Sequence, residues 1–376
     1  MINFNKPYLH GKELVYIAQA VAAGKISGDG TFTKKCHDFF EQRYGFKKAL
    51  MTTSCTDALE MAAILLDIQP GDEVIAPSYT FVSTVNAFAL RGAKIIFADS
   101  YSDHPNVDPA QIDKLITPNT KAIVVVHYAG VGCDMDAIMA IANQHNIPVV
   151  EDAAQAIDSY YKGKPLGSIG TFGTFSFHET KNIIAGEGGL LAINDDKYIH
   201  RAEIIREKGT NRSSFFRGEV AKYGWVDIGS SFLPSDIISA YLYAQLENME
   251  PIQARRKEIW QRYYDRLNVV LANTGIELPV VADYSTNNAH MFYLVCSNLE
   301  QRTALIQHLK DNEVHAVFHY LSLHTSEFYQ DKYIGCPLLN SDYFSDTLVR
   351  LPLFYELTNE QVDYICSQIK GFVELK

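Results

Sequence analysis

Four stretches of the chain carry residues whose types and spacing could do chemistry. In Val149 to Gln155 an apolar run ends in two acids, Glu151 and Asp152. Open α/β sheets bind ligands beyond the carboxyl ends of their strands, so a carboxylate there is well placed for function. An acid capping the following turn is the other reading of the same pattern. In Thr171 to Lys181 small and aromatic residues alternate at strand period and deliver a lysine into a loop that runs on to Gly186-Glu187-Gly188-Gly189. Such a lysine could form a Schiff base, although a single lysine in a loop is also what a solvated surface looks like. Thr53-Ser54-Cys55-Thr56 sets hydroxyls at a strand-to-helix turn, where free amides and the helix dipole attract phosphate and where an ordinary N-cap also sits. His315 and His319 lie four residues apart with His324 nearby. That spacing can hold zinc on a helix, but the segment between them is β-branched and aromatic and lacks the glutamate of His-Glu-x-x-His. No metal is assigned.

These groups need a scaffold. Lys48 to Thr53, Glu73 to Ala76, Lys94 to Ala98, Ala122 to His127 and Ile147 to Glu151 read as buried strands. Helical stretches at about 56–66, 83–90 and 137–144 separate them. Continuous apolar strands alternating with helices predict a parallel sheet covered on both faces. Near Pro251 the pattern changes to a long charged helix over 252–270, then strands at about 291–296 and 314–318 and helices at about 300–311 and 358–371. The expected architecture is α/β, with a large domain over 1–250 and a smaller α+β domain over 251–376.

Composition narrows the function classes. The 376 residues are 47% hydrophobic and 20% charged, as in ordinary globular proteins, and 33 basic against 44 acidic residues leave a net charge of -11. An acidic chain without a basic block is poorly suited to nucleic acid or an anionic membrane, and no partner of either kind is expected. The sequence shows no signal-peptide pattern at Met1 to Tyr16 and no apolar run of membrane-spanning length. Six scattered cysteines without a Cys-x-x-Cys pair fit a reducing compartment, so a cytoplasmic location is expected. Neither a Walker loop nor a Gly-x-Gly-x-x-Gly turn is present, which disfavours nucleotide hydrolysis and dinucleotide binding.

Taken together, a lysine, a strand-end acid, a phosphate cradle and an aromatic ring are what pyridoxal 5'-phosphate requires. The chain resembles the DegT/DnrJ/EryC1/StrS sugar aminotransferases over nearly its whole length. The resemblance rests on Ser54 to Leu59, Pro77 to Phe81, Val126 to Gly130, Glu151 to Gln155, Ser176 to Lys181 with Gly186 to Gly189, His319-Tyr320 and Leu351 to Leu353. It implies an aspartate-aminotransferase-like fold with Lys181 holding the cofactor as an imine and Asp152 facing its ring nitrogen. It further implies Phe81 against the ring, Gln155 near the other face or the phenolic oxygen, and Ser54, Cys55, Thr56 and Ser176 around the phosphate.

Two departures stand out: Cys55 replaces a common glycine, and Ser231 replaces an asparagine that reaches the phosphate across a dimer interface. The runs Arg206 to Arg212 and Tyr223 to Ser231 resemble a branch of the family that aminates dTDP-linked 4-keto-6-deoxy sugars, with L-glutamate as donor and 2-oxoglutarate as its product. By that likeness a homodimer with interfacial sites is expected. Arg212, Arg217 and Lys222 are candidates for the sugar diphosphate, and His319 and Tyr320 for the sugar pocket. A related dehydratase is disfavoured because it carries histidine in place of Lys181. Another 3- or 4-aminotransferase of the family, or a non-catalytic binding protein on this scaffold, remains as an alternative.

Overall fold

The structure, a computed structural model, describes residues 1–374. The chain opens with helices α1 (Lys12–Ala22) and α2 (Thr31–Tyr44). It then alternates through β1 (Lys48–Thr52), α3 (Cys55–Leu65), β2 (Glu73–Pro77), α4 (Ser83–Ala89), β3 (Lys94–Ala98), α5 (Pro109–Leu115), β4 (Thr120–Val126), α6 (Met135–His145) and β5 (Val149–Asp152). A small hairpin, β6 (Tyr160–Tyr161) and β7 (Lys164–Pro165), leads into β8 (Phe172–Ser176) and β9 (Gly189–Ile193). Helices α7 (Ile199–Arg206), α8 (Arg212–Phe216), α9 (Asp236–Glu247) and α10 (Met249–Val270) follow. The remainder holds β10 (Phe292–Val295), α11 (Leu299–Asp311), β11 (Val317–Phe318), α12 (Leu339–Thr347), β12 (Leu348–Leu351) and α13 (Asn359–Glu374).

Seven strands form one sheet in the order β1-β9-β8-β5-β4-β2-β3. All run parallel except β9, which is antiparallel to both neighbours. The expected parallel sheet therefore has one reversed strand, and the cause is the connection. Residues 177–188 return from β8 to the adjacent β9 without a helical crossover, which only an antiparallel pair permits. This loop contains Lys181.

Alternation along the strands splits the core between the two faces. Ile123 and Val125 pack on the face with α2 and α6, whereas Ala122 and Val124 pack on the face with α3 and α4. A second, three-stranded sheet, β10-β12-β11, packs with α10, α11 and α13 around its own cluster. Met249 and Ile252 at the start of α10 belong to the large-sheet core, while Ile259, Tyr263 and Leu267 belong to the second cluster.

The sequence reading assigns no element before residue 48, yet α1 and α2 pack on α9 there. It also expects one strand over 314–318. Instead Val314 bridges Ile2, and only Val317 and Phe318 pair with β12. The N-terminal residues thus lie against the second sheet, a long-range pairing that no local pattern encodes.

Candidate active site

Because six strands of the large sheet run in one direction, their carboxyl ends share an edge, and the candidate residues gather along it. Ser54 to Thr56 follow β1, Phe81 follows β2, Asp152 ends β5, Ser176 ends β8, and Lys181 sits in the β8–β9 loop. Together with Gln155, His319 and Tyr320 they line one cavity of about 530 Å³.

Parity along β5 separates the two acids. Val149 faces the α2–α6 side and Val150 the α3–α4 side, so Glu151 and Asp152 alternate in the same way. Glu151 is fully buried and accepts the amides of Gly167, Ile169 and Gly170, together with a hydrogen bond from His127 Nε2 at 2.9 Å. It is the capping acid. Asp152 points to the cavity, where it accepts Thr84 Oγ1 at 2.7 Å and the Ala154 amide at 3.1 Å. Thr84 in turn pairs with Thr80 at 2.9 Å. Glu151→Ala would strand three buried amides and His127. It is expected to cost about 3–5 kcal/mol of stability, read from denaturant unfolding, with the cavity's ligand affinity little changed in the fraction that folds. An unfolding midpoint like the parent's would contradict this role.

Helix α3 starts at the turn because Ser54 is extended (φ -156°) and its side chain accepts the Asp57 amide. The amides of Cys55 and Thr56 are left pointing outward, as at any helix N-terminus. Gly189 of β9 lets this turn press close: a Cβ there would lie 2.2 Å from the Ser54 carbonyl carbon. The Cys55 thiol is buried beside Thr174, Asp152 and Lys181, and that burial pushes it well above the ordinary thiol value. Ser176 pairs with Gly189 in the sheet and lines the same cavity, its Oγ accepting the His178 amide at 3.4 Å.

Electrostatics tune the lysine. Burial pulls the Lys181 amine down to about 8, against the opposing charge of Asp152. Burial pushes the Asp152 carboxyl up, while Thr84, the Ala154 amide and Lys181 pull it back. His290 and His319, both at the cavity, are held well below the ordinary histidine value by burial and by the positive charges of Lys181 and Arg350. Gln155 is clamped, its Oε1 taking the Ala129 amide at 2.6 Å and its Nε2 donating to Tyr320 at 3.1 Å. Phe81 is 55% exposed at the cavity rim, with its ring 6.0 Å from that of Tyr320.

Four sequence candidates lie outside the cavity of their own chain. Ser231 is exposed and bridges Glu207, and Arg212 stacks on Phe216. Arg217 pairs with Glu203 and Glu219, while Lys222 is exposed on the same loop. His315 packs edge-on to Phe4 at 6.3 Å, away from the cavity that His319 lines, and among the described residues no group of three metal-binding side chains converges. Sequence reasoning missed Arg350, His290 and Thr84. The signal for Arg350 was present: one cation inside the apolar run Leu348 to Phe354.

The sequence model of the DegT/DnrJ/EryC1/StrS aminotransferase family matches residues 7–370. Solved structures superpose along the whole chain. The aminotransferase TlmJ from Streptoalloteichus hindustanus matches with a TM-score of 0.91 at 28% identity, covering 100% of this chain and 99% of that one. The PMP-form of Spr1654 from Streptococcus pneumoniae gives a TM-score of 0.91 at 26% identity, covering 100% of both chains. DesV of S. venezuelae, in complex with a ketimine intermediate, gives 0.90 at 27% identity over 99% of this chain and 98% of that one.

Proposed function

The chain belongs to the DegT/DnrJ/EryC1/StrS aminotransferase family, and from that premise we propose that it moves an amino group from L-glutamate to the C4 ketone of dTDP-4-keto-6-deoxy-D-glucose. The product would be dTDP-4-amino-4,6-dideoxy-D-galactose, a precursor for surface polysaccharide. The observation that carries the transaminase reading is the meeting of Lys181, Asp152 and the open amides of α3 in one cavity. The sugar assignment rests on the likeness of Arg206 to Arg212 and Tyr223 to Ser231 to the transaminase of enterobacterial common antigen synthesis.

The cavity fits pyridoxal 5'-phosphate. The Cys55 and Thr56 amides, with the Ser54 and Ser176 hydroxyls, would take the phosphate, and the close approach that Gly189 allows keeps this cradle against the sheet edge. Asp152 would hold a proton on the ring nitrogen through a charge-assisted hydrogen bond. Phe81 and Gln155 would flank the ring. Bound there, the cofactor supplies an electron sink for the carbon that loses its proton. Lys181 would hold it through Nζ, and the same amine, when free, would carry the proton to and from the donor Cα. Gln155, fixed at both ends, orients without titrating. The neutral His319 and the hydroxyl of Tyr320 would meet the sugar.

The reading includes a homodimer. The exposed stretch 212–231 presents Phe216 and Trp225, 69% and 82% accessible, beside the basic residues. Paired through this face, Ser231, Arg212, Arg217 and Lys222 of one copy would serve the diphosphate and phosphate in the other. The division at about residue 250 is kept, with α10 as connector. None of the six cysteines forms a disulfide, and no helix among the described residues is long and apolar enough to cross a membrane, both in keeping with a cytoplasmic enzyme.

The test is to load the protein with pyridoxal phosphate, add L-glutamate and follow the visible absorption. A panel of nucleotide ketosugars then follows, with product mass and C4 configuration measured. Amination of a different ketosugar would move the chain elsewhere in the family, and a protein that takes up no cofactor would favour a binding role. A pH experiment isolates Lys181. Only the free amine attacks an aldehyde, so reductive trapping of pyridoxal phosphate on the apoprotein should rise with pH through a midpoint of about 8. A midpoint near the ordinary ~10.4 of lysine would contradict the burial argument.

A further inference from the structure

Tyr128 follows β4 at the carboxyl edge of the large sheet, in the short turn Tyr128 to Gly130. The turn is fixed from two sides. The Tyr128 amide donates to Asn106 Oδ1 at 3.0 Å, and the Asn106 side chain donates to the Val131 and Gly132 carbonyls. The Ala129 amide donates to Gln155 Oε1 at 2.6 Å. The Tyr128 ring is buried among Tyr79, Tyr293 and Tyr320, with ring centroids 5.5, 5.8 and 6.3 Å away. Its hydroxyl crosses to the segment after β11 and meets His319 Nδ1 at 3.1 Å. Two consecutive residues of the turn thus hold two consecutive residues of the cavity wall. Tyr128 holds His319 directly, and Ala129 holds Tyr320 through Gln155, whose Nε2 donates to the Tyr320 hydroxyl at 3.1 Å.

These bonds decide where the hydrogens point. A backbone amide can only donate, so the Gln155 oxygen faces Ala129 and its amide nitrogen faces Tyr320. The Tyr320 oxygen is then the acceptor toward Gln155, and its own hydrogen goes to no acceptor among the described residues. At His319, burial and the positive charges of Arg350 and Lys181 keep the ring neutral, which leaves one hydrogen for two nitrogens. A phenol hydrogen given to an imidazole nitrogen is the stronger of the two possible pairings, because imidazole is the better base and phenol the better acid. Nδ1 therefore accepts from Tyr128, and the ring hydrogen sits on Nε2, which meets no partner among the described residues.

We propose that Tyr128 is a positioning residue for the amino acceptor: its hydroxyl fixes His319 as the Nε2–H tautomer, so that His319 and Tyr320 together offer the ligand hydrogen-bond donors only. The inference rests on the transaminase reading above and names what sets the polarity of its sugar wall. Neutral N–H and O–H donors match the ketone, hydroxyl and ring oxygens of a ketosugar, and the ketone and ring oxygens can only accept. A wall whose donors are fixed in advance does not have to reorganise when those oxygens arrive.

The first test needs no substitution in the protein that is measured. With pyridoxal phosphate bound and the histidine rings labelled with nitrogen-15, the two ring-nitrogen resonances of His319, identified by their loss in His319→Gln, should show a bare Nδ1 and a protonated Nε2. In Tyr128→Phe, which removes the hydroxyl and keeps the ring among its aromatic neighbours, the same nitrogens should shift toward a mixture of tautomers. A parent hydrogen on Nδ1, or a tautomer unmoved by Tyr128→Phe, would overturn the proposal.

The second test follows the two half-reactions by absorption, L-glutamate on the pyridoxal form and dTDP-4-keto-6-deoxy-D-glucose on the pyridoxamine form. Tyr128→Phe should raise the half-saturating ketosugar concentration about tenfold relative to that of glutamate, the scale of one hydrogen bond. His319→Gln keeps an N–H donor but has no tautomer to set, so adding Tyr128→Phe to it should change the ketosugar value by no more than about twofold. Equal rises for both substrates, or full additivity in the double variant, would mean that Tyr128 only packs the wall, and the proposal would fall. If the parent turns over glutamate but not this ketosugar, the substrate reading falls separately: the nitrogen resonances still decide the tautomer, and the ketosugar that the panel identifies takes its place in the second test.

Discussion

Lys181→Ala should leave a folded protein whose transamination rate is lower by about 10⁴-fold or more, because in the proposed mechanism one side chain would supply both the anchor and the proton carrier. The structure offers no substitute at that position. Asp152 and Cys55 act on Lys181 directly, and burial pushes the Cys55 thiol up; His290 and His319, also on the cavity wall, are held well below the ordinary histidine value by burial and the surrounding positive charge. Lys181 itself is poised: an amine brought down to about 8 has a substantial neutral fraction at physiological pH, where an exposed lysine has almost none. The measurement is single-turnover loss of visible absorption with glutamate, comparing parent and variant. An added primary alkylamine should restore part of the proton-transfer rate in Lys181→Ala. A variant within a hundredfold of the parent would mean that another base does the work.

The second large effect is expected at Asp152. Asp152→Asn preserves shape and can keep the Thr84 and Ala154 contacts in part, but it removes the charge that would hold a proton on the ring nitrogen. The turnover rate should fall by about 10²–10³-fold with little change in the half-saturating glutamate concentration, since the lost interaction matters to the transition state rather than to donor binding. Stability should not fall with it, because the substitution also relieves a buried, desolvated carboxylate. A variant whose half-saturation rises while its turnover persists would place Asp152 in donor binding instead. The contrast with Glu151→Ala is informative: adjacent acids, one expected to govern rate and the other stability.

That contrast also marks where sequence and tertiary structure divide. Glu151-Asp152 read alone leaves open which acid caps and which serves, because period-two alternation says only that they face opposite ways. The answer came from α4, whose Thr84 reaches Asp152, and from the 167–170 turn, whose amides enclose Glu151. Both partners are distant in the chain. Lys181 was legible because its loop carries a local pattern, alternating strand residues before it and glycines after it. The reversal of β9 was not, since apolar strands look alike in either direction and only the connection decides.

What the sequence determined by itself is what local chemistry encodes: strands that end in functional groups, a capped helix start, glycines where backbones close, and a family likeness carried by those short motifs. The parallel edge then made one cavity from four separate loops. Left to the tertiary structure were the groups whose role depends on what is absent around them or on packing over long separations. Arg350 in an apolar strand is conspicuous in sequence, but only the fold shows that among the described residues no acid pairs with it and that Phe4, 346 residues earlier, lies under it. Ser231, Arg212, Arg217 and Lys222 carry suitable chemistry yet stand outside their own cavity, on an exposed loop whose position is set by the tertiary packing of α7 and α8. Side-chain type is a local property, whereas the free energy of a charge depends on everything near it, and only the folded chain sets those neighbours.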